Sequence, residues 1–366
     1  MIKYLFRKMT TTHIDIIGSS TSPCVIGHEV ELTDDIVAEE GYCLAVRALE
    51  DKEVYNQLED VHGRFNTIVT GTTFVGALGV REALKGYRGR IPESIKKGDK
   101  LCILNMGGIL GECTSAHPSL GLPLHVEVLG GVKSRVNGSS KAARVQDHAL
   151  PPVASLGTSA PIIAISGTAM DTGKTRASAA VIRGLTEHGY RVAAAKLTGA
   201  ALLRDLRAME NNGAIAVSSF SRAGVVTSAG KEIVPRAKAV ISYLNDFNPD
   251  VIVVELGDGF IGHYGVDDFL MDSELSQFVC ADVVAATDLA GAWAADHLFT
   301  NRYKRPISVM VGPVTDNGVG SDYITSTLGI PAHNAIQDPH GLVNSVIEPF
   351  RMWMNKHLPK IQELVA

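Results

Sequence analysis

The stretch Pro161–His188 places an apolar run, a glycine-bearing loop and a helix-forming segment in immediate succession. The run PIIAIS has the length and composition of a buried strand, and the segment from about Lys174 onward is typical of a helix. The loop between them reads GTAMDTGKT. Glycines let the backbone turn tightly at this point, so the chain must pass directly from a buried strand into a helix.

This loop has the composition of a phosphate-binding loop. Its backbone N–H groups can face one anion, and the helix adds the positive end of its dipole. Lys174 would reach the β- and γ-phosphates, and the Thr175 hydroxyl would take one Mg²⁺ position. The alternative is a glycine-capped turn with an exposed lysine. The predicted phosphate-binding residues are Gly167, Thr168, Thr172, Gly173, Lys174, Thr175 and Arg176.

The rest of the C-terminal half alternates apolar strands with helices. Predicted strands are RVAAAKL, DVIVVEL, DVVAATD and PISVMVG, and predicted helices are ALLRDLRAMEN, EIVPRAKAVISYLNDF, AGAWAADHLFT and Leu342–Leu364. Continuous apolar strands between helices are typical of a parallel sheet covered on both faces. The predicted fold class is therefore α/β, with a C-terminal parallel sheet between helices and a smaller β-rich (α+β) N-terminal domain.

The N-terminal half consists of short apolar runs broken by glycine and charge, which predicts strands. One helix is predicted at Gly76–Tyr87, and the glycine-rich stretch NMGGILGECTSAHP is either a second ligand loop or a tight turn between strands. Few large apolar residues occur from Gly130 to Pro161, which favours a linker. The predicted domains are residues 1–131, a linker at 132–160, and residues 161–366.

Composition narrows the functional class. A chain of 366 residues with 45% hydrophobic content is long enough for two cores. The net charge of −5 gives no general attraction to nucleic acid or anionic membrane, so we expect neither as a partner. The five cysteines form no CxxC, which favours a reducing cytoplasm over a disulfide framework. No apolar stretch is long enough to predict a membrane span.

GTAMDTGKT resembles the loop of dethiobiotin synthetases, which has the same longer spacing between its first and last glycines. The resemblance continues in order over about 161–313. Lys196 in AAAKLTGA matches a family lysine that helps to bind the substrate and the transferring phosphate. Glu255 in VVELGDG matches the glutamate of VEGAGG, a magnesium ligand. The segment Ala285–Phe299 is similar to the part that shapes the substrate side. The resemblance implies a P-loop NTPase fold and ATP with Mg²⁺ as cofactors.

The chain also departs from that family. Asn317 is displaced from the place where the family often carries an adenine-reading asparagine. Thr168 stands where MinD-type ATPases carry their signature lysine, which argues against that dimerising class. A two-domain layout with a similar P-loop domain is found among D-amino-acid N-acetyltransferases. That likeness keeps acetyl-CoA or another acyl-CoA as an alternative ligand.

Further polar residues follow the predicted strands, where open α/β sheets bind ligands. Lys196, Thr198 and Asp258 are predicted to bind substrate, although Lys196 could instead extend to solvent and Asp258 could have a loop role. Thr175, Glu255 and Asp205 are the predicted metal ligands. For Asp205, an exposed charged helix face is an equal explanation. Lys174, Lys196 and Asp171 are the predicted catalytic residues, and Asp171 could instead stabilise the turn.

The sequence therefore predicts an enzyme of ligase or kinase type. It would use MgATP to activate a small carboxylate or carbamate by phosphoryl transfer, in the manner of dethiobiotin synthetase. An acyl-CoA-dependent N-acyltransferase of an amino acid and a nucleotide-dependent regulatory protein are the alternatives. The expected partner is a small anionic molecule, and we expect a homo-oligomer, as the resembled enzymes are commonly dimers.

Overall fold

The computed structural model describes residues 11–24, 26–136 and 139–365. These residues form two compact units. The N-terminal unit comprises the described residues up to Ala149, together with Ala201–Leu203 and Gly224–Thr227. The C-terminal unit comprises Leu150–Ala200, Arg204–Ala223 and the described residues from Ser228 onward. Each unit has its own hydrophobic core.

The N-terminal unit consists of short strands. They are β1 Thr11–His13, β2 Ile16–Ile17, β3 Glu29–Thr33, β4 Cys43–Ala48, β5 Gln57–Glu59, β6 Phe65–Thr67, β7 Thr73–Leu78, β8 Arg81–Glu82, β9 Tyr87–Arg90, β10 Lys100–Asn105, β11 Ile109–Ala116, β12 His125–Val136 and β13 Ser139–Ala142. Short 3-10 helices lie at Ser19–Cys24, Pro118–Leu120 and Val145–His148. This composition confirms that the N-terminal region is β-rich.

Five of these strands pair in a closed ring. The order around the ring is β4, β7, β11, β10, β12 and back to β4, and only the pairing of β7 with β11 is parallel. Apolar side chains from the ring strands, including Val46, Phe74, Ile103, Leu110 and Val126, are buried in one cluster. Alternate residues of each strand supply this core, as the period of a strand requires.

The helix predicted at Gly76–Tyr87 is wrong. The structure instead has the end of β7, the short strand β8 and the start of β9. A Cβ on Gly76 would lie 2.3 Å from the carbonyl oxygen of Gly108, so the close approach of two strands requires glycine here. Leu84, which completes the helical pattern, is exposed in the turn between β8 and β9.

The stretch NMGGILGECTSAHP forms a tight turn between β10 and β11, as one of its two interpretations predicts. The side-chain oxygen of Asn105 accepts a hydrogen bond from the Gly107 amide at 2.6 Å, and Gly108 has φ +90°. Glycine takes this left-handed conformation without steric cost. The turn accounts for Gly107 and Gly108, whereas Gly111 lies within β11, where a Cβ would be 2.6 Å from the Arg90 carbonyl oxygen.

The C-terminal unit contains a parallel sheet of six strands among the residues described. They are β14 Ile162–Gly167, β15 Val192–Thr198, β16 Ala216–Ser219, β17 Val251–Leu256, β18 Val279–Ala285 and β19 Val309–Val311. The order across the sheet is β16, β15, β17, β14, β18, β19, and every neighbouring pair is parallel. All residues of β14 and β17 are buried, as strands covered on both faces require.

Helices connect these strands. They are α1 Lys174–Glu187, α2 Arg204–Asn211, α3 Val234–Asn245, α4 Val266–Met271, α5 Ser273–Phe278, α6 Leu289–Leu298, α7 Gly318–Tyr323 and α8 Pro339–Val365. Single π-helical turns follow α6 and α7, at Phe299–Tyr303 and Ile324–Leu328. The parallel sheet with its helices confirms the predicted fold class. No helix in the described part of the chain is both long and apolar enough to cross a membrane.

The stretch predicted as a linker, 132–160, contains regular structure in its first half. Strand β12 continues to Val136, β13 pairs with it, and the 3-10 helix Val145–His148 follows. The second half has neither helix nor strand, but Glu274 fixes it within the C-terminal unit. Its carboxylate accepts hydrogen bonds from the Ser155 hydroxyl at 2.6 Å and from the Leu156 amide at 2.8 Å.

Candidate functional site

The candidate site lies at the carboxyl edge of the parallel sheet. The connection after β14 leads to β15 on one side, whereas β18 leads to β19 on the other side. The direction of the connections therefore reverses between β14 and β18, and open α/β sheets bind ligands outside the strand ends at such a switch point. The first loop residue lies at this switch point, because the Thr168 amide donates to the Ala285 carbonyl at 2.9 Å.

The loop between β14 and α1 presents an open helix N-terminus. Asp171 and Gly173 have φ of 60° and 87°, so the chain winds through two left-handed residues before the helix begins. Gly173 is the N-cap, and no side chain caps the helix there. The first amides of a helix have no acceptor within the helix, and an anion at this end satisfies them.

Glycines pack the loop tightly against its neighbours. A Cβ on Gly167 would lie 2.7 Å from the Thr172 hydroxyl and 2.9 Å from the Ala285 carbonyl oxygen. A Cβ on Gly312, just after β19, would lie 2.5 Å from the Thr172 carbonyl oxygen. Neither position tolerates a side chain without moving backbone. The cradle is therefore fixed by segments that are far apart in sequence.

Lys174 lies inside the loop. Its ammonium donates to the Ala169 carbonyl at 2.5 Å and to the Thr172 hydroxyl at 3.3 Å, and only 6% of the residue is exposed. Burial lowers the pKa of Lys174 to about 8, with Glu255 acting in the opposite direction. Both of these hydrogen-bond partners are neutral, so the ammonium directs its positive charge into the loop.

The other predicted phosphate-binding residues have different surroundings. The Thr172 side chain is buried and donates to the Ala169 carbonyl at 3.1 Å, which closes the loop on itself. The Thr168 hydroxyl is shielded from solvent and has no hydrogen-bond partner within the described structure. Asp171 and Arg176 have exposed side chains. For Asp171 the left-handed conformation fits a turn-stabilising aspartate as well as a catalytic one.

A buried polar cluster lies next to the start of α1. The Thr175 hydroxyl is 3.0 Å from a Glu255 carboxylate oxygen and 3.5 Å from an Asp205 carboxylate oxygen. The Ser178 hydroxyl, one turn along α1, donates to the other Glu255 oxygen at 3.2 Å. The structure thus brings together the three predicted metal ligands, which come from α1, α2 and β17. Asp205 is 3% exposed, so the exposed helix face considered for it is wrong.

Lys196 completes the cluster. Its ammonium contacts the Asp205 carboxylate directly and lies 3.9 Å from a Glu255 oxygen. Burial opposes the charge on Lys196, but Asp205 and Glu255 outweigh it and raise the pKa of the lysine. Burial likewise opposes ionisation of Asp205, but the Lys196 ammonium overcomes it and lowers the pKa of Asp205. Burial raises the pKa of Glu255. The alternative of a lysine that extends to solvent is wrong.

The donor set of this cluster fits Mg²⁺. Mg²⁺ prefers oxygen ligands and is usually held by one or two carboxylates, with water and substrate phosphates completing its shell. Thr175, Asp205 and Glu255 supply one hydroxyl and two carboxylates, and the hydroxyl contacts both carboxylates. Across the described residues no group of three or more His, Cys, Asp and Glu side chains could hold a metal. The remaining ligands would therefore come from phosphate oxygens and water.

The other two predicted substrate residues are Thr198, two positions after Lys196, and Asp258. Thr198 is fully buried, and its hydroxyl donates to the Gly257 carbonyl at 2.9 Å, so its side chain ties the end of β15 to the end of β17. Asp258 has φ 71° and lies close enough to Lys174 to act against the lowering of its pKa. Asp258 therefore lies near the Lys174 side chain.

Sequence reasoning missed two residues of this site. Ser178 lies three residues after Thr175 on the same face of α1, and this spacing could have identified it. Gly312 follows an ordinary strand, and nothing in its local sequence shows that it packs against the loop. Asn317, which the family comparison singles out, caps α7 by accepting a hydrogen bond from the Val319 amide at 3.0 Å.

No protein-family model matches the sequence, and no curated protein matches it. Among solved structures, the signal recognition particle receptor FtsY from Elizabethkingia anophelis is 10% identical with a TM-score of 0.36. The match covers 51% of this chain, which spans 65% of the length of that one. The signal recognition particle 54 kDa protein from Aeropyrum pernix K1, in complex with GDP, is 16% identical with a TM-score of 0.36, covering 53% of this chain and 50% of that one. A ParA family ATPase from Chlorobium tepidum TLS is 12% identical with a TM-score of 0.31, covering 53% and 97%.

Proposed function

We propose that this chain is a MgATP-dependent enzyme of ligase or kinase type that transfers a phosphoryl group to a small carboxylate or carbamate. The observation that carries this proposal is the buried cluster of Thr175, Asp205, Glu255 and Lys196 beside the phosphate loop. It combines a set of magnesium ligands with a second ammonium. A second ammonium beside the metal ligands suits an enzyme that also binds an anionic acceptor.

In this proposal the loop amides at the N-terminus of α1 and Lys174 bind the phosphates. The loop and the lysine are already in place before the reaction, so they stabilise charge on the transferring group without reorganisation. Thr175, Asp205 and Glu255 hold Mg²⁺, which neutralises phosphate charge when bound. Lys196 holds the anionic acceptor, and Asp258 is the proposed second contact for the substrate. Phosphoryl transfer needs little covalent help, so alignment and electrostatics suffice.

The cluster favours a nucleoside triphosphate over acyl-CoA. Transfer of an acyl group from a thioester uses no metal, and two buried carboxylates near the phosphate loop would repel the phosphates of coenzyme A. With Mg²⁺ bound, the same carboxylates contribute to binding of a triphosphate. The acyltransferase and the regulatory protein therefore become outcomes of the test below.

The first test is calorimetric binding of ATP, GTP and acetyl-CoA, each with and without Mg²⁺, to the wild type and Lys174→Ala. Arg183→Ala is the matched control, since Arg183 lies on the same helix in an exposed pair with Glu187. We expect Mg²⁺-dependent ATP binding that is lost only in Lys174→Ala. Phosphate release would then be measured across small carboxylates and amines.

Three outcomes would contradict the proposal. Binding of acetyl-CoA without nucleotide binding would move the function to acyl transfer. Selective binding of GTP would exclude ATP as the phosphoryl donor. Nucleotide hydrolysis that no carboxylate accelerates, but that a protein partner stimulates, would support a regulatory protein.

A further inference from the structure

The carboxylates assigned to Mg²⁺ already hold a cation of the chain itself. The Lys196 ammonium contacts Asp205 directly and lies 3.9 Å from Glu255, on the oxygen that also bonds the Thr175 hydroxyl. The two carboxylate side chains are 4% and 2% exposed. Buried carboxylates at this depth require a positive charge in contact, and Lys196 supplies it.

The charges in the cluster favour exchange of this cation. Among the buried groups, two carboxylates and one ammonium leave one net negative charge when all three are ionised. The Arg204 guanidinium also lies 3.7 Å from Asp205, but its side chain is 52% exposed, so solvent screens its charge. A divalent cation would compensate both carboxylates fully, whereas the ammonium compensates one. Lys196 is also the most exposed member of the three, at 13% of its side chain. It is therefore the member that can leave with the smallest change in solvation.

The backbone around Lys196 leaves room for its side chain. A Cβ on Gly199 would lie 3.3 Å from the Lys196 Cε, and a Cβ on Gly257 would lie 3.2 Å from the same atom. Two glycines therefore flank the lysine stem at the ends of β15 and β17. Side chains at these positions would confine it. The lysine side chain has four methylene carbons joined by rotatable bonds, so its ammonium can change position while the strand stays fixed.

We infer that Lys196 is the resident counter-cation of the metal site, and that Mg²⁺ displaces its ammonium from Asp205 and Glu255. This inference rests on the proposed function and adds the order in which the metal and the anionic substrate engage the site. In the metal-free protein Lys196 is held by the carboxylates and is withheld from an anionic substrate. Binding of the metal releases the ammonium toward the acceptor site. Metal and anionic substrate consequently bind with positive coupling, and each increases the affinity of the other.

The first experiment measures binding of Mn²⁺ alone by electron paramagnetic resonance. It compares the wild type, Lys196→Met and Lys174→Met. Lys174 is the matched control because it is a buried lysine of the same site whose hydrogen bonds go to the loop and not to the carboxylates. We expect Lys196→Met to bind Mn²⁺ at least about tenfold more tightly than the wild type, since a competing cation is removed from two carboxylates. Lys174→Met should change the affinity less.

A second experiment uses the wild type, because Lys196→Met could fail to fold with its carboxylates unpaired. An amine-reactive reagent is applied with and without Mg²⁺, and labelling of each lysine is followed by mass spectrometry. We expect Mg²⁺ to increase the labelling rate of Lys196. Lys238, whose ammonium is buried against Asp272 and Glu274 elsewhere in the unit, serves as the internal reference and should not change.

The two proposals fail in different ways. Unchanged or weaker Mn²⁺ binding by a folded Lys196→Met overturns the exchange, and so does labelling of Lys196 that Mg²⁺ leaves unchanged or slows. Phosphoryl transfer observed together with either result would leave the enzyme assignment in place. Cation exchange without any nucleotide-dependent phosphate release would support the inference and remove the ligase or kinase assignment.

Discussion

Replacement of Gly312 by alanine tests whether the phosphate loop is shaped by a segment that sequence reasoning missed. Gly312 has φ +95°, and a Cβ there would lie 2.5 Å from the Thr172 carbonyl oxygen and 2.8 Å from that of Ala286. Both contacts are to backbone, so no change of side-chain rotamer relieves them. The alanine must displace the loop, the end of β18 or its own segment.

The expected cost has two parts. A left-handed alanine costs about 1–2 kcal/mol relative to glycine. Overpacking against fixed backbone adds roughly 1–3 kcal/mol. We therefore expect Gly312→Ala to destabilise the C-terminal unit by about 2–5 kcal/mol. Restoring an ordinary contact of about 3.4 Å to Thr172 needs a shift of about 0.9 Å, which exceeds the tolerance of about 0.5 Å within which binding groups must be held. Nucleotide affinity should fall by about tenfold or more as the cradle moves.

Gly189→Ala is the matched control. Gly189 has φ +85°, also in the C-terminal unit, and a Cβ there meets nothing within 4 Å. Gly189→Ala has the cost of a left-handed alanine but no steric overlap with a neighbour. Its free energy of unfolding should therefore fall by only about 1–2 kcal/mol, and it should bind nucleotide as the wild type does. Urea unfolding followed by tryptophan fluorescence reports this unit selectively, because both tryptophans, Trp293 and Trp353, belong to it. The reasoning is refuted if Gly312→Ala matches Gly189→Ala in both stability and MgATP affinity.

Three further predictions concern other parts of the C-terminal unit. Glu255→Gln removes a buried charge but keeps an acceptor for the Thr175 hydroxyl, so the urea midpoint of the unliganded protein should not fall. The increase in urea midpoint that MgATP causes in the wild type should disappear in this variant. An increase that persists would argue against metal binding by Glu255. Burial raises the pKa of Asp282 to about 6 although Arg305 opposes this, so the folded unit keeps a proton that the unfolded chain has released. The contribution of Asp282 to the free energy of unfolding is present at low pH and is lost as the pH rises toward 6, by about 1 kcal/mol per pH unit. The prediction is contradicted if the free energies of unfolding of the wild type and Asp282→Asn change in parallel from pH 4 to 7. Glu274→Gln weakens the charge-assisted hydrogen bonds that fix residues 155–157, so thermolysin should cut this segment faster than in the wild type. Equal cleavage rates would show that other contacts hold the segment.

The sequence predicts the C-terminal fold well because its signals are contiguous. The strand β14, the loop and the helix α1 follow one another within one segment, and each has a pattern of its own period. The apolar strands β15, β17 and β18 are recognised in the same way, since strands buried on both faces have few polar residues. Their order across the sheet depends on how the helices pack, and the residue pattern does not encode it directly.

The local sequence pattern predicts the wrong secondary structure where contacts with a distant segment determine the conformation. Residues Gly76–Tyr87 have alanines and leucines at helical spacing, yet the close approach of Gly76 to Gly108 and pairing with β11 impose strands. Packing of this kind overrides intrinsic propensity. Gly312 is missed for the same reason, because its requirement comes from Thr172, which lies far away in the sequence.

The candidate site shows a second limit of sequence-based prediction, in which each residue is given its role separately. Sequence patterns assign Lys196 to the substrate and Asp205 and Glu255 to the metal, as if these were separate groups. In the fold they form one ionic cluster, so each side chain sets the charge state of the others. Removal of Lys196 alone alters both the acceptor site and the metal ligands, and removal of Asp205 alone leaves a buried ammonium short of one partner. Only a double-mutant cycle on Lys196 and Asp205, with metal and anion affinities measured separately, can apportion their roles, because residues in contact do not contribute additively.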